Sequence, residues 1–139
     1  KEEFIQGGFK EIMDEHDGND AKMIKRVLLC SGKVAYDLLE YKEKNQRTDI
    51  AIVRLEQIYP LPMQSLLQLA RNKYAAAQWV WVQEEPRNMG AASFLKMNVD
   101  DTQFKLGYLC RMASASTATG YAKKHAEEQA MLIKNAFTL

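Results

Sequence analysis

The chain has 139 residues, 47% of them hydrophobic, and a net charge of +1 from 19 basic and 18 acidic side chains. That size suits one domain with one hydrophobic core, stable without a metal or disulfide staple. The near balance of charge argues against the electrostatic footprint of a protein that binds nucleic acid or anionic lipid. Its two cysteines, Cys30 and Cys110, each close an apolar run and read as buried thiols kept in a reducing compartment. No apolar stretch approaches the roughly 20 residues of a membrane span, and no signal peptide opens the chain. A start at Lys1 instead of Met reads as a fragment or a processed product.

Residues 1–25 are polar and irregular, with Gly7-Gly8 and an acidic run over 14–20, and read as a linker or arm. Phe4, Phe9 and Ile12 are its candidate anchors. The pattern becomes regular at Arg26, so the domain proper is expected over residues 26–139. Val27-Leu28-Leu29-Cys30 is a short apolar strand, followed by Ser31-Gly32 and a helical pattern through Gln46 with Val34, Leu38 and Leu39 on one face. The run 50–55 is apolar until Arg54, which fits a strand covered by helices on both sides. A helix is expected over 63–74, with Leu66, Leu67, Leu69 and Ala70 as its core stripe. Pro62 stands near its first turn, where a missing N–H costs nothing.

The third strand, 78–82, sends Trp79 and Trp81 to one side and Val80 and Val82 to the other. It ends abruptly in Gln83-Glu84-Glu85-Pro86-Arg87-Asn88-Met89-Gly90, a strand end followed by residues suited to opening a helix over 90–98. A fourth strand is expected over 104–110. The last helix, 119–137, carries Ala122, Ala126, Ala130, Ile133 and Phe137 on one face, with alanines that suit close approach to a neighbour. Strands alternating with helices imply an α/β fold: a three-layer α/β/α arrangement around a mostly parallel, doubly wound sheet.

The chemistry along the chain is sparse. Ser31-Gly32-Lys33 opens the first helix, where a phosphate could rest on the N-terminus, so Ser31, Lys33 and Arg54 are candidate effector contacts. Neither the full P-loop nor the three-glycine dinucleotide fingerprint is present. Glu84 and Glu85 are adjacent, so a strand points them to opposite faces, which suits them poorly to an acid/base pair. Pairing of these carboxylates with Arg54 or Arg111 in a structural ion cluster is the favoured reading, with an interface or ligand role as the alternative. His16 and His125 have no catalytic partner in view. Ser116, Thr117 or Thr119 is expected to cap the last helix, a role worth on the order of 1 kcal/mol. Glu84, Glu85, Asn88, Arg111, Ser114, Ser116 and His125 together form the candidate interface or structural polar cluster. No catalytic, cofactor-binding or metal-binding residue is assigned.

Five segments resemble the C-terminal domain of the E1 component of 2-oxoglutarate dehydrogenase. They are Leu29-Cys30-Ser31-Gly32-Lys33-Val34 with Asp37-Leu38, the stretch Ile52-Val53-Arg54-Leu55-Glu56-Gln57-Ile58-Tyr59-Pro60-Leu61-Pro62, Trp81-Val82-Gln83-Glu84-Glu85-Pro86, Asn88-Met89-Gly90-Ala91, and Ala113-Ser114-Ala115-Ser116 with Gly120 and His125. Phe9-Lys10-Glu11-Ile12-Met13-Asp14 is similar to that family's approach to the domain. Three residues depart from the pattern: Ala35 and Ala92 stand where aromatics are usual, and Thr117 where Pro is. If Ala35 and Ala92 face a partner domain, a contact surface there is weakened.

The resemblance implies a transketolase-like C-terminal domain, with one antiparallel strand possible from the arm or an end. It implies a parent enzyme that uses thiamine diphosphate and Mg²⁺, both held by the preceding domains across a homodimer. That enzyme decarboxylates 2-oxoglutarate and passes the succinyl group to the lipoyl arm of the E2 succinyltransferase, in the bacterial cytoplasm or the mitochondrial matrix. The isolated chain is then expected to be inactive, with no cofactor of its own and with neither nucleic acid nor membrane as partner. The competing reading is a regulatory module for an acyl-CoA or adenine nucleotide effector.

Overall fold

A computed structural model describes residues 12–14, 21–56, 58, 61–100, 102–111 and 121–139. Five strands, β1 (Ile12–Asp14), β2 (Arg26–Cys30), β3 (Ile50–Leu55), β4 (Gln78–Pro86) and β5 (Leu106–Arg111), form one sheet in the order β1-β3-β2-β4-β5. The four longer strands run parallel, and β1 pairs antiparallel with β3, Ile12 opposite Leu55 and Asp14 opposite Val53. The extra antiparallel strand therefore comes from the arm. Helices α1 (Val34–Lys44), α2 (Met63–Gln68), α3 (Ala92–Asn98) and α4 (Tyr121–Ala136) cover the two faces.

The apolar alternation of the strands builds two cores. Trp79, Trp81, Val27, Leu29, Ala51 and Val53 face α2 and α3 through Leu66, Leu67 and Leu95. Leu28, Cys30, Ile50, Ile52, Val80 and Val82 face α1 and α4 through Val34, Leu38, Leu132, Ile133 and Phe137. Strands buried on both sides need such continuous apolar runs, as parallel sheets do. At about 25 cal/mol per Å², each large side chain so buried contributes roughly 1.5–3 kcal/mol, offset by conformational entropy.

Several expectations need correction. The buried face of α4 is Leu132, Ile133, Ala136 and Phe137, whereas Ala122, Ala126 and Ala130 are exposed. Spacing places all these residues near one stripe, but only the C-terminal half of the helix lies over the sheet. Ala35 and Ala92 are fully buried in the domain's own cores, so neither faces a partner domain. β4 does not stop at Val82 but runs on through both glutamates to Pro86, with an irregularity in its pairing between Gln83 and Pro86. After Gln68 the second helix loosens into a π turn, Leu69–Lys73, where the Tyr74 amide donates to the Leu69 carbonyl at 3.0 Å. This turn delivers Tyr74 into the core, 6.1 Å from Trp79, with its hydroxyl donating to Asp14 at 2.9 Å. Lys73 Nζ meets the same carboxylate at 2.6 Å, so Asp14 pins the arm strand to the body.

The amino rim of the sheet is closed by arginines. Arg47 grips Asp49 through two bonds of 3.0 and 2.9 Å and donates a third, 2.8 Å, to the Phe137 carbonyl. Arg26 donates to the Ala136 carbonyl at 3.0 Å and to Gln78 Oε1 at 3.2 Å. Both cations thus sit at the C-terminus of α4, where the helix dipole favours positive charge.

Candidate functional site

All four parallel strands end on one rim, and the chain leaves β2 and β4 in opposite directions, β2 toward β3 and β4 toward β5. That divergence is the switch point at which open α/β sheets meet ligands. Two segments occupy it: the turn after β2, with Ser31, Gly32 and Lys33, and the loop at the end of β4.

Gln83 organises the β4 loop. It is 3% exposed, and its Oε1 accepts from Trp81 Nε1 and from the Ala92 amide, both at 2.9 Å. Its Nε2 donates to the carbonyls of Pro86 and Met89 at 2.8 Å and of Glu85 at 3.1 Å. One side chain therefore satisfies the indole, the start of α3 and the turns between. Gly90 is part of the same device. Its φ is +64°, and an added Cβ would lie 3.1 Å from both Gln83 Oε1 and Glu85 Oε1. Gly is required there for its backbone and for the space.

The switch-point turn is less tightly built. Gly32 has φ +77° and open space where a Cβ would stand. Lys33 is exposed, and Ser31 is half-buried. Arg54 is brought close by register, since it pairs with Cys30. Its guanidinium donates to Tyr36 Oη at 3.3 Å, stacks 5.5 Å from that ring and lies 3.7 Å from Glu56.

At the end of β5, Arg111 Nη1 meets His125 Nδ1 at 2.6 Å, and Nη2 donates to Gln129 Oε1. Gln129 Nε2 in turn donates to Asp37 Oδ2 at 2.9 Å, tying α4 to α1. The structure thus brings Arg111 and His125 together but leaves the glutamates apart from them. Among the described residues Glu84 and Glu85 form no ion pair, and Asn88 is exposed. Ser114, Ser116, Thr117, Thr119 and His16 lie outside the described residues. Cys110 is half-buried, and burial pushes its thiol pKa up, which suits an inert thiol.

The feature the sequence reading missed is Gln83. Alternation from Trp79 and Trp81 places it on the same buried face, and a buried amide at a strand end must find partners. That parity was the available signal.

Among the described residues no three His, Cys, Asp or Glu side chains stand together as a metal-ligand group. No helix among them is long and apolar enough to cross a membrane.

The architecture is that of a transketolase-like domain. A solved split-gene transketolase, described as an inactive β4 tetramer, superposes with a TM-score of 0.57 over 94% of this chain and 44% of its own, at 15% identity. That likeness concerns the fold alone. The family model for the 2-oxoglutarate dehydrogenase C-terminal region matches residues 1–137, and the chain belongs to this family. An oxoglutarate dehydrogenase of Buchnera aphidicola is 42% identical over 99% of this chain, and a 2-oxoglutarate dehydrogenase E1 component of Haemophilus influenzae is 41% identical over 99%. The chain spans only 15% of the length of either relative.

Proposed function

We propose that this chain is the non-catalytic C-terminal domain of an E1 enzyme that decarboxylates 2-oxoglutarate and passes the succinyl group to the lipoyl arm of E2. The observation that carries this reading is the family match through nearly the whole chain, combined with the small share of the relatives' length that it spans. Thiamine diphosphate and its divalent ion belong, on this reading, to the preceding domains and to a homodimer interface between them. The chain supplies a folded body for those domains to pack on, with residues 1–25 as the connection and Asp14 as its fastening. The β4 loop supports the assignment, because its buried Gln83 amide is spent on holding that loop and the start of α3 in place.

The experiment is excision of this region from the parent enzyme. Loss of both the dimer in sedimentation and 2-oxoglutarate decarboxylation is expected, with recovery when the chain is added back in trans. A truncated parent that stayed dimeric and fully active would contradict the assembly role.

A second reading, a regulatory module for an acyl-CoA or adenine nucleotide, draws on the open turn at Gly32 beside Arg54. A ligand at a hundred times its Kd stabilises the native state by about 2.7 kcal/mol. A thermal shift of that size with either ligand class would support the module, and a flat response would remove it.

A further inference from the structure

We propose that β1 is a strap that docks and undocks as a unit while the four parallel strands stay folded, and that its departure uncovers Arg54 at the switch point. β1 is three residues long and lies at the edge of the sheet, paired with β3 alone among the described strands. So short a strand brings little buried surface: Ile12 is buried, whereas Met13 and Asp14 are half-buried. Segments with few buried apolar contacts open locally at a fraction of the cost of global unfolding. Ile12 is the strap's one contribution to either core, so the body keeps both cores when the strap leaves.

Side-chain contacts hold the strap, one set for each residue. Alternation sends Ile12 and Asp14 to one face of the sheet and Met13 to the other. Asp14 is received by the π turn: Lys73 Nζ meets Oδ2 at 2.6 Å, and Tyr74 Oη donates to Oδ1 at 2.9 Å. Single π turns are rare and gather at functional places in helices. This one brings an ammonium and a hydroxyl from consecutive residues to a single carboxylate. On the opposite face Met13 Sδ accepts from Arg54 Nη2 at 2.9 Å. Arg54 also bonds Tyr36 Oη and lies beside Glu56, and both of those contacts belong to the body. Undocking therefore leaves Arg54 in place and uncovers the Met13 side of its guanidinium. Arg54 pairs with Cys30, the residue before Ser31, so the uncovered cation stands beside the turn at Gly32. A pull on the chain before Ile12 is thereby felt at the switch point, and the device does not depend on the E1 assignment.

The test combines native-state amide hydrogen exchange in low urea with arginine modification by phenylglyoxal, both on the full chain. The most protected amide of residues 12–14 is expected to exchange with little dependence on urea, because strap opening exposes little surface. The amides of Val27, Leu28 and Leu29, in a central strand, should show the steep dependence of global unfolding. Asp14→Asn should speed strap exchange about tenfold, the worth of hydrogen bonds to a charged group, and should speed Arg54 modification by the same factor. Tyr74→Phe keeps the ring in the core and removes one donor, so it should speed both about fivefold and serves if the first variant fails to fold. Arg47, on the opposite rim, should keep its modification rate in both variants. Equal urea slopes for β1 and β2, an unchanged Arg54 rate in the variants, or an Arg47 rate that rises with that of Arg54 would each overturn the strap.

Discussion

The two rims of the sheet use the same residue types to different ends. At the amino rim two arginines are matched: Arg47 by Asp49 and the Phe137 carbonyl, Arg26 by the end of α4 and Gln78. The titrations follow from that matching. The hydrogen bond to Asp49 raises the Arg47 pKa, and Arg47 in return holds the Asp49 carboxyl below its usual range. Burial, and then the neighbouring charge of Arg47, lowers the pKa of Arg26. At the carboxyl rim Gln83 is fully engaged, yet among the described residues Arg111 Nε has no acceptor. One rim is closed by the chain itself, whereas the other is built firmly around a charge that the described residues leave unneutralised. A strand end is therefore a fastening or a meeting place according to whether its polar groups are already matched.

The comparison breaks or sharpens under substitution. Gln83→Leu keeps the volume but strands the Trp81 indole N–H, the Ala92 amide and three carbonyls, and should cost about 3 kcal/mol or more in urea unfolding. A loss well under 1 kcal/mol would mean that the carboxyl rim is not held by this amide.

Asp49→Asn should cost about 1 kcal/mol at neutral pH, because the pair is 27% and 28% exposed and partly screened. The sign with pH follows from the lowered carboxyl. The pair's contribution is complete above the unfolded pKa of about 4 and is lost as pH falls through the lower folded value. The stability gap between the two proteins should thus stay level down to about pH 4 and close below it. A gap that widened in acid would refute the pairing.

The smallest effect is a gain. Gln46 ends α1 with φ 50°, and the Arg47 amide closes the turn onto the Lys42 carbonyl at 3.0 Å. Gln46→Gly relieves the left-handed strain but loosens the unfolded chain, so about half a kcal/mol of net stabilisation is expected in thermal unfolding. A loss would show that the Gln46 side chain contributes at this rim.

Much of this architecture was legible because period and parity are local. The run 50–55 matched β3, and alternation separated Trp79 and Trp81 from Val80 and Val82 correctly between the two cores. What stayed hidden depended on coverage, which periodicity does not encode. The stripe through Ala122, Ala126 and Ala130 was readable, but not that α4 overhangs the sheet at that end. Glu84 and Glu85 drew attention as charges, while the residue that holds their loop is the uncharged Gln83. An amide's importance comes from burial and from distant partners such as the Ala92 amide. Arg111 and His125 were grouped together from the sequence, but Gln129, one turn further along α4, was not, because an uncharged amide gives no signal of its distant partner.

The central claim is that this domain builds structure while the cofactor chemistry resides on other parts of the parent enzyme. Calorimetric titration of the chain with thiamine diphosphate and magnesium tests it most directly. The account predicts no saturable heat. Tight, magnesium-dependent binding with one cofactor per chain would contradict it.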